Sequence, residues 1–507
     1  MTPWLSVLRT ENLDDIAFVD PASMNMHFGA GLLSERNREV STQEGVGAVL
    51  PVPAMAHEVA HVWQVTTTMT GIRWFWDAHL QMRMMAAMTS EASKAAAGIV
   101  GPRILVDPMV YEHSSGFRRY SDIVNALTAV SWCADGGHQY RPEELESFFG
   151  GPPRDDHGMS VYPDDRIGAA GRLRFFDLGQ VRRASGSAAS HVLLGTKHLF
   201  EGLSAAVEGF RNVVERPELS LAERQEFHTL RFLPFEPYGI AAGMYAAIAQ
   251  HRLGDQARAT ALVEIMAIID AALNMDDWLE VLVRTGEIPE TGGRFAFDNY
   301  LKLLEARADA GSAIGIRDGS AEETRTFQET LLRAVGAPMT NLAELPGIAA
   351  AGVDRLFDEL RTWSPVPPGM LTNWRTLFMQ NLSTREDIGG GSPFFEIARA
   401  PREALREIFN RVPMRSWGPA QIHEEEATGP VRQAFQAQMV SHMRSLLMEW
   451  SFGRRRCEHF DGPCRLSERP ACDGLTADLS PSGTRCPREA MTAHLMANFS
   501  IVEIPDY

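Results

Sequence analysis

The sequence predicts a mostly α-helical protein with few short strands. From Ser187 onward, apolar residues recur at intervals of three and four, which is the spacing of a helix that buries one face. Clusters of proline and glycine separate these apolar segments and indicate where the helices end. The 507 residues are 45% apolar, which is enough for large cores and for more than one domain.

The first part of the chain combines helices with irregular segments. Residues 1–53 have the pattern of short extended pieces and turns, and Pro51 and Pro53 prevent a helix from beginning earlier. Before residue 187 we predict helices at 54–67 and 74–97, a loop at 147–165 and a strand at 172–178.

The remainder is predicted to be helical, with two breaks. The breaks, at 364–369 and 389–393, are rich in proline or glycine and are predicted to be linkers or lids. The predicted helices are 188–214, 220–231, 238–252, 256–274, 321–335, 343–362, 394–410 and 431–451.

Charge and hydropathy restrict the surroundings of the protein. The formal net charge of −17 argues against binding to nucleic acid and to anionic membranes. The most apolar stretch, 262–273, is too short to span a bilayer and is interrupted by Glu264 and Asp270. The N-terminus has neither a basic start nor a long apolar run, so we expect no signal peptide and a cytoplasmic protein.

The predicted helix 54–67 contains a metal-binding pattern, H-E-x-x-H. Residues four apart lie on one face of a helix, so His57 and His61 can bind one ion. A bound zinc ion lowers the pKa of its water to about 7, and Glu58 can take the proton of that water. The alternative is a pair of histidines that only form hydrogen bonds within an apolar core.

A catalytic zinc ion needs a third protein ligand, and Glu201 is the best candidate. It lies in a predicted helix of apolar and small residues, on the same face as Ala205 and Glu208. Gly202 costs a helix about 1 kcal/mol relative to alanine, so we expect it to permit a close approach of two helices. The alternative third ligands are His198, Glu208, His191 and Asp177.

The two segments together, H-E-x-x-H and a later E-G-x-x-A-x-x-E, resemble the gluzincin metallopeptidases. The resemblance implies a zincin-like helical catalytic core with His57, His61 and Glu201 as ligands and Glu58 as general base. It also implies peptide or protein substrates. The stretch from His57 through Gln64, with its threonine run, is similar to uncharacterised bacterial proteins carrying H-E-x-x-H-x-x-Q.

The chain departs from that family in two respects. The spacer between His61 and Glu201 is longer than most gluzincins have, and the second helix lacks their usual downstream aspartate. Such enzymes also need a group that stabilises the oxyanion. Tyr238, Tyr245 and His228 are the candidates, and the sequence does not choose among them.

Four of the five cysteines lie near the C-terminus in a segment rich in glycine and proline. Four thiolates can hold a structural zinc ion or an iron–sulfur cluster, although no C-x-x-C pair is present. Disulfides and free thiols are the alternatives. The residues are Cys457, Cys464, Cys472 and Cys486.

These features suggest three regions and three classes of function. The regions are a metallopeptidase-like catalytic region at 1–253, a helical region at 254–452 and a Cys-rich module at 453–507. The leading hypothesis is a zinc-dependent hydrolase of peptide bonds. The alternatives are a non-catalytic interaction protein braced by a metal and a di-metal oxidase, which needs a second E-x-x-H motif that the chain lacks.

Overall fold

The computed structural model describes about half of the chain, and most of this part is helical, which confirms the prediction of a mostly α protein. The described residues are 17–20, 25–28, 52–80, 82, 139–149, 154–156, 159–163, 172–177, 191–215, 238–250, 256–287, 296–316, 319–364, 366, 368–411 and 414–416.

The helices of the described ranges follow one another closely after residue 195. A π-helical segment, Ala246–Gln250, continues α4, and residues 69–80 are also helical. The α-helices are α1 (Val52–Thr67), α2 (Pro142–Phe149), α3 (Thr196–Glu215), α4 (Ile240–Tyr245), α5 (Gln256–Leu273), α6 (Trp278–Thr285), α7 (Ala296–Ala310), α8 (Ala321–Ala334), α9 (Leu345–Trp363), α10 (Pro368–Asp387), α11 (Phe394–Arg399) and α12 (Arg402–Arg411).

The described strands form two small sheets. In one sheet, β2 pairs antiparallel with β1 and parallel with β8. The other sheet is antiparallel in the order β3-β7-β6-β5-β4, and most of it lies in the chain between α1 and α3. The strands are β1 (Ala17–Asp20), β2 (Asn25–Phe28), β3 (Gln139–Tyr140), β4 (Arg154–Asp156), β5 (Met159–Pro163), β6 (Arg172–Asp177), β7 (His191–Leu193) and β8 (Met414–Ser416).

Helix α1 lies at the centre of the helical packing. Every residue of α1 from Met55 to Thr67 is buried, the six polar ones included, because other helices and strand β1 pack around α1. It packs most extensively against α3, and it also contacts α10, α11 and α12. One apolar core therefore extends across the predicted boundary at residue 253, and the division into regions stays a prediction.

Helix α5 is the second buried helix, and its two interrupting acids are paired with arginines. Glu264 accepts hydrogen bonds from Arg307 Nε at 2.7 Å and from Nη2 at 2.9 Å. Asp270 accepts from Arg385 Nη2 at 2.9 Å and from Nη1 at 3.1 Å. A buried carboxylate is tolerated when a cation neutralises it, which explains why a helix so apolar carries these acids.

The threonine run ends α1 and begins the next helix. The three hydroxyls at 66–68 donate to the carbonyls four residues earlier. Thr68 Oγ1 also accepts from the backbone N–H of Gly71 at 3.0 Å, as the capping residue of helical residues 69–80. A Cβ at Gly71 would lie 2.0 Å from the carbonyl oxygen of Gln64, so only glycine fits where the two helices meet.

Several predicted elements differ from the structure. The predicted helix 188–214 is wrong at its start, where His191–Leu193 form strand β7. The predicted loop 147–165 contains β4 and β5, whose antiparallel pairing is concealed by the surrounding turn residues. In β5 the core-facing Met159 and Val161 do alternate with the half-buried Ser160. The sequence also did not predict α2, α6, α7 and α10.

The break at 389–393 is not a lid. Gly389 and Gly390 have positive φ angles of 68° and 79°, and a Cβ at Gly390 would lie 1.9 Å from the carbonyl oxygen of Leu342. The segment is a turn packed tightly against the loop that precedes α9. The break at 364–369 connects α9 and α10, which pack against each other.

The other helix predictions are confirmed within the described ranges, with shifted ends. The predicted helix 394–410 is divided into α11 and α12 at Pro401. The predictions for helices 220–231 and 431–451 and for the Cys-rich module lie outside the described residues. No helix in the described ranges combines the length and the hydropathy that crossing a bilayer requires.

Replacing Gly71 with alanine should destabilise the protein. The new Cβ meets backbone atoms that cannot move aside without separating the two helices, so we expect a loss of at least about 2 kcal/mol in the free energy of unfolding. Denaturant unfolding measures this loss. The matched control is Gly347→Ala in the first turn of α9, where nothing lies within 4 Å of the new Cβ. This control should gain about 0.5–1 kcal/mol, and equal effects of the two substitutions would contradict the prediction.

Candidate metal centre

Helices α1 and α3 bring three ligand atoms together. The Nε2 atoms of His57 and His61 are 3.2 Å apart, as expected for residues one turn apart on a helix face. Glu201 Oε2 lies 3.5 Å from the first of these atoms and 3.3 Å from the second. In a tetrahedral zinc site with bonds of about 2.0–2.1 Å, neighbouring ligand atoms are about 3.3 Å apart. The triangle therefore has the size of one face of a tetrahedral site.

The three ligand groups are buried and incompletely paired. His57, His61 and Glu201 are each 5–6% exposed. Glu201 Oε2 has no hydrogen-bond partner among the described residues, although it faces both imidazoles. A buried carboxylate oxygen without a partner is costly, and a divalent cation at the centre of the triangle would compensate it. Together the three groups fit a metal ion, and they are the His57–His61–Glu201 cluster expected from the sequence.

The charges of the cluster strongly shift its pKa values. Burial alone would lower the pKa of His57, but the carboxylates of Glu201 and Glu208 outweigh it and raise the pKa to about 10. Burial would raise the pKa of Glu201, yet the two imidazoles hold the pKa below its usual range. Without a metal ion, His57 therefore holds a proton, whose positive charge offsets the nearby carboxylates.

Each ligand histidine also has a contact on its outer nitrogen. Glu208 Oε2 lies 3.3 Å from His57 Nδ1, and Gln64 Oε1 lies 3.0 Å from His61 Nδ1. Such outer contacts orient metal-ligating histidines. The sequence proposed Glu208 only as a substitute ligand and gave Gln64 no role. Helix spacing could have indicated both contacts. Glu208 follows Glu201 by seven residues and Gln64 follows His61 by three, so each pair lies on one helix face.

Glu58 is next to a ligand without being one. It is 5% exposed, and its Oε2 has no hydrogen-bond partner among the described residues. It does not belong to the group of three whose ligand atoms lie within 4.8 Å of one another. Burial raises the pKa of Glu58, against the opposing effect of the two imidazoles. The carboxyl group is thus a stronger base than an exposed glutamate.

The alternative ligands His198 and His191 have contacts outside the ligand triangle. His198 Nδ1 accepts from the N–H of Gly195 at 3.2 Å, at the start of α3. Asp177 and His191 are neighbours in the register of β6 and β7, and His191 Nε2 lies 3.2 Å from Ser160 Oγ. Neither histidine belongs to the ligand cluster found in the described part of the chain.

The oxyanion candidates differ in position. The ring of Tyr238 is half-buried, with its centroid 5.7 Å from that of His57. Tyr245 is buried and donates to Glu264 at 2.9 Å, away from the cluster. His228 and the cysteines 457, 464, 472 and 486 lie outside the described residues.

The expected role of Gly202 is confirmed. A Cβ at this position would lie 2.7 Å from the Cβ of Ala241 in α4. The glycine beside Glu201 thus lets α3 and α4 approach closely.

In comparisons with protein-family models, with curated proteins and with solved structures, nothing matches this chain.

Replacing any one ligand should remove about one equivalent of bound zinc. His57→Ala, His61→Ala and Glu201→Ala each delete one corner of the triangle, and two ligands bind zinc far more weakly than three. Elemental analysis of the purified variants measures the loss. The control is His191→Ala, which removes a histidine of the sheet and should keep its zinc. Retained zinc in either histidine variant of α1 would contradict the assignment.

Zinc affinity should rise with pH well beyond the ordinary range of histidine. Zinc needs the neutral form of His57, and the pKa of about 10 means that a proton must leave first. Between pH 7 and 9 the apparent affinity should rise about tenfold per pH unit. Competition with a zinc indicator measures it. Glu208→Gln removes one cause of the raised pKa, so its affinity should level off at a lower pH. An affinity of the parent protein that is constant above pH 7 would contradict the prediction.

Proposed function

We propose that this chain is a zinc-dependent hydrolase that cleaves peptide or related amide bonds. The observation that supports the proposal most is that two buried glutamates occupy different positions relative to the ligand atoms. Glu201 completes a triangle of ligand atoms, whereas Glu58, next to His57, stays outside it with an unpartnered oxygen. Burying this second carboxylate costs free energy, and a site that only binds a metal does not need it.

His57, His61 and Glu201 would hold the ion, which would supply a Lewis acid and lower the pKa of a water molecule to about 7. Glu58 would accept the proton of the attacking water and deliver it to the nitrogen of the leaving amine. Its raised pKa suits the first step, because a stronger base takes the proton of the water more readily. The half-buried Tyr238 beside His57 is our candidate for stabilising the oxyanion.

The same proposal includes the finer features that the sequence suggested. We propose a zincin-like catalytic core around α1 and α3, on the basis of the resemblance to gluzincins and of the ligand triangle. Peptide or protein substrates follow from that resemblance alone. A second structural zinc ion or an iron–sulfur cluster at the C-terminal cysteines stays a prediction, as does the cytoplasmic location.

Glu58→Gln should separate a hydrolase from the other two classes. The amide keeps the size of the side chain but cannot accept a proton, so the variant should bind zinc normally. Its turnover of a peptide library should fall about 10²–10⁴-fold. Metal analysis and a cleavage assay are the two measurements.

The matched control is Glu396→Gln, the same change at an exposed position of α11, and it should keep full activity. In an interaction protein braced by a metal, Glu58→Gln would be silent in both measurements. In a di-metal oxidase Glu58 would be a ligand, so its replacement would lower the metal content. Unchanged turnover in Glu58→Gln would refute the hydrolase proposal.

A further inference from the structure

Gln64 is a polar side chain next to the ligand triangle. It is fully buried, three residues after His61 on α1. Its Nε2 lies 2.8 Å from the carbonyl oxygen of Phe200 and 3.1 Å from Ser204 Oγ, both on α3. Its Oε1 lies 3.0 Å from His61 Nδ1. Gln64 thus connects one ligand with the backbone just before another, because Phe200 precedes Glu201.

The contacts determine which way the amide of Gln64 points. A backbone carbonyl oxygen can only accept a hydrogen bond, so the amide group must present its N–H to Phe200. The amide oxygen then faces His61 Nδ1, and this oxygen can also only accept. The bond therefore forms only when Nδ1 carries the hydrogen. In a neutral imidazole the lone pair is then on Nε2, which is the atom at the corner of the triangle.

Ser204 could favour the opposite arrangement. Its Oγ lies 3.2 Å from His61 Nδ1, and a hydroxyl group can either donate or accept. If the hydroxyl donated to Nδ1, the ring hydrogen would sit on Nε2, and that nitrogen could not bind a metal. Gln64 opposes this tautomer, because its oxygen would then face the lone pair on Nδ1 without a hydrogen between them.

We infer that Gln64 is a positioning residue that holds His61 in the metal-binding tautomer. The inference rests on the proposed function in that it takes the triangle as a zinc site. Hydrolysis is not required for it. The hydrogen bond to Phe200 has a second effect. It fixes the position of α1 relative to α3 along the helix axes, and hence the distance between His61 and Glu201. Ligands held in this way bind metal more tightly, since the side chains lose less conformational entropy on binding.

The test compares three variants by their affinity for zinc alone, measured by competition with a chelating indicator. Gln64→Met keeps the length of the side chain but has no hydrogen-bonding amide, so its affinity should fall about 10–100-fold. Gln64→Glu keeps an oxygen that accepts from His61 Nδ1, so its affinity should stay within about tenfold of the parent. Ser204→Ala, the matched control, removes the competing hydroxyl and should bind zinc as tightly as the parent.

Thermal unfolding of each metal-free variant separates positioning from folding. A parent-like affinity in Gln64→Met would overturn the inference. So would a loss in Gln64→Glu as large as in Gln64→Met, because the tie to Phe200 would then be the whole effect. If Gln64→Met does not fold, nitrogen NMR of the metal-free parent chain decides instead. The inference predicts that the neutral His61 ring carries its hydrogen on Nδ1, and a hydrogen on Nε2 would overturn it. A parent chain that binds zinc but cleaves nothing would overturn only the hydrolase proposal, and one that binds no zinc would overturn both.

Discussion

The contact between α1 and α3 must bury ionisable groups, and much of the structure depends on how this is done. His57, Glu58, His61 and Glu201 lie among alanine, valine and leucine, where an unpaired charge costs several kcal/mol. The imidazoles and the carboxylates can only be buried together, since the two imidazoles reduce the cost of burying Glu58 and Glu201. Pairing them fixes the register of the two helices, because a shift of one turn, about 5.4 Å, would separate Glu201 from both imidazoles.

A second buried network holds the end of α1 in place. Arg385 of α10 donates to the carbonyl of Thr67 at 3.1 Å and forms its ion pair with Asp270 of α5. Asn381 Nδ2 donates to Thr66 Oγ1 at 2.9 Å. The last turn of α1 is thus fixed from α5 and α10, while α3 holds its ligand-bearing middle. Helices far apart in the chain therefore determine the position of His61 as much as local helix formation does.

The sequence predicted the parts of this arrangement that depend on spacing within one helix. The ligand pair, the acid beside it and the face of Glu201 follow from a period of 3.6 residues, as do most helices. Pairings over long distances in the chain have no such signature. Nothing in the sequence predicted that Arg385 would neutralise Asp270, or that Tyr245 would be directed to Glu264 and Tyr238 left beside His57. Strands β4 and β5 were missed because turn residues surround and shorten their alternating pattern.

The two buried networks also differ in a way that bears on the purpose of the ligand triangle. Both oxygens of Asp270 accept hydrogen bonds, so this carboxylate is satisfied by protein groups alone. In the triangle and beside it, Glu201 Oε2 and Glu58 Oε2 have no hydrogen-bond partners within the described part of the chain. In this protein the buried carboxylate with a structural role thus has hydrogen bonds to both oxygens, whereas those at the triangle do not. Three carboxylates lie around the two imidazoles and raise the pKa of His57, so that His57 holds a proton when no metal is bound. A divalent cation neutralises the α1–α3 contact more completely than this proton, and it would also engage the Glu201 oxygen.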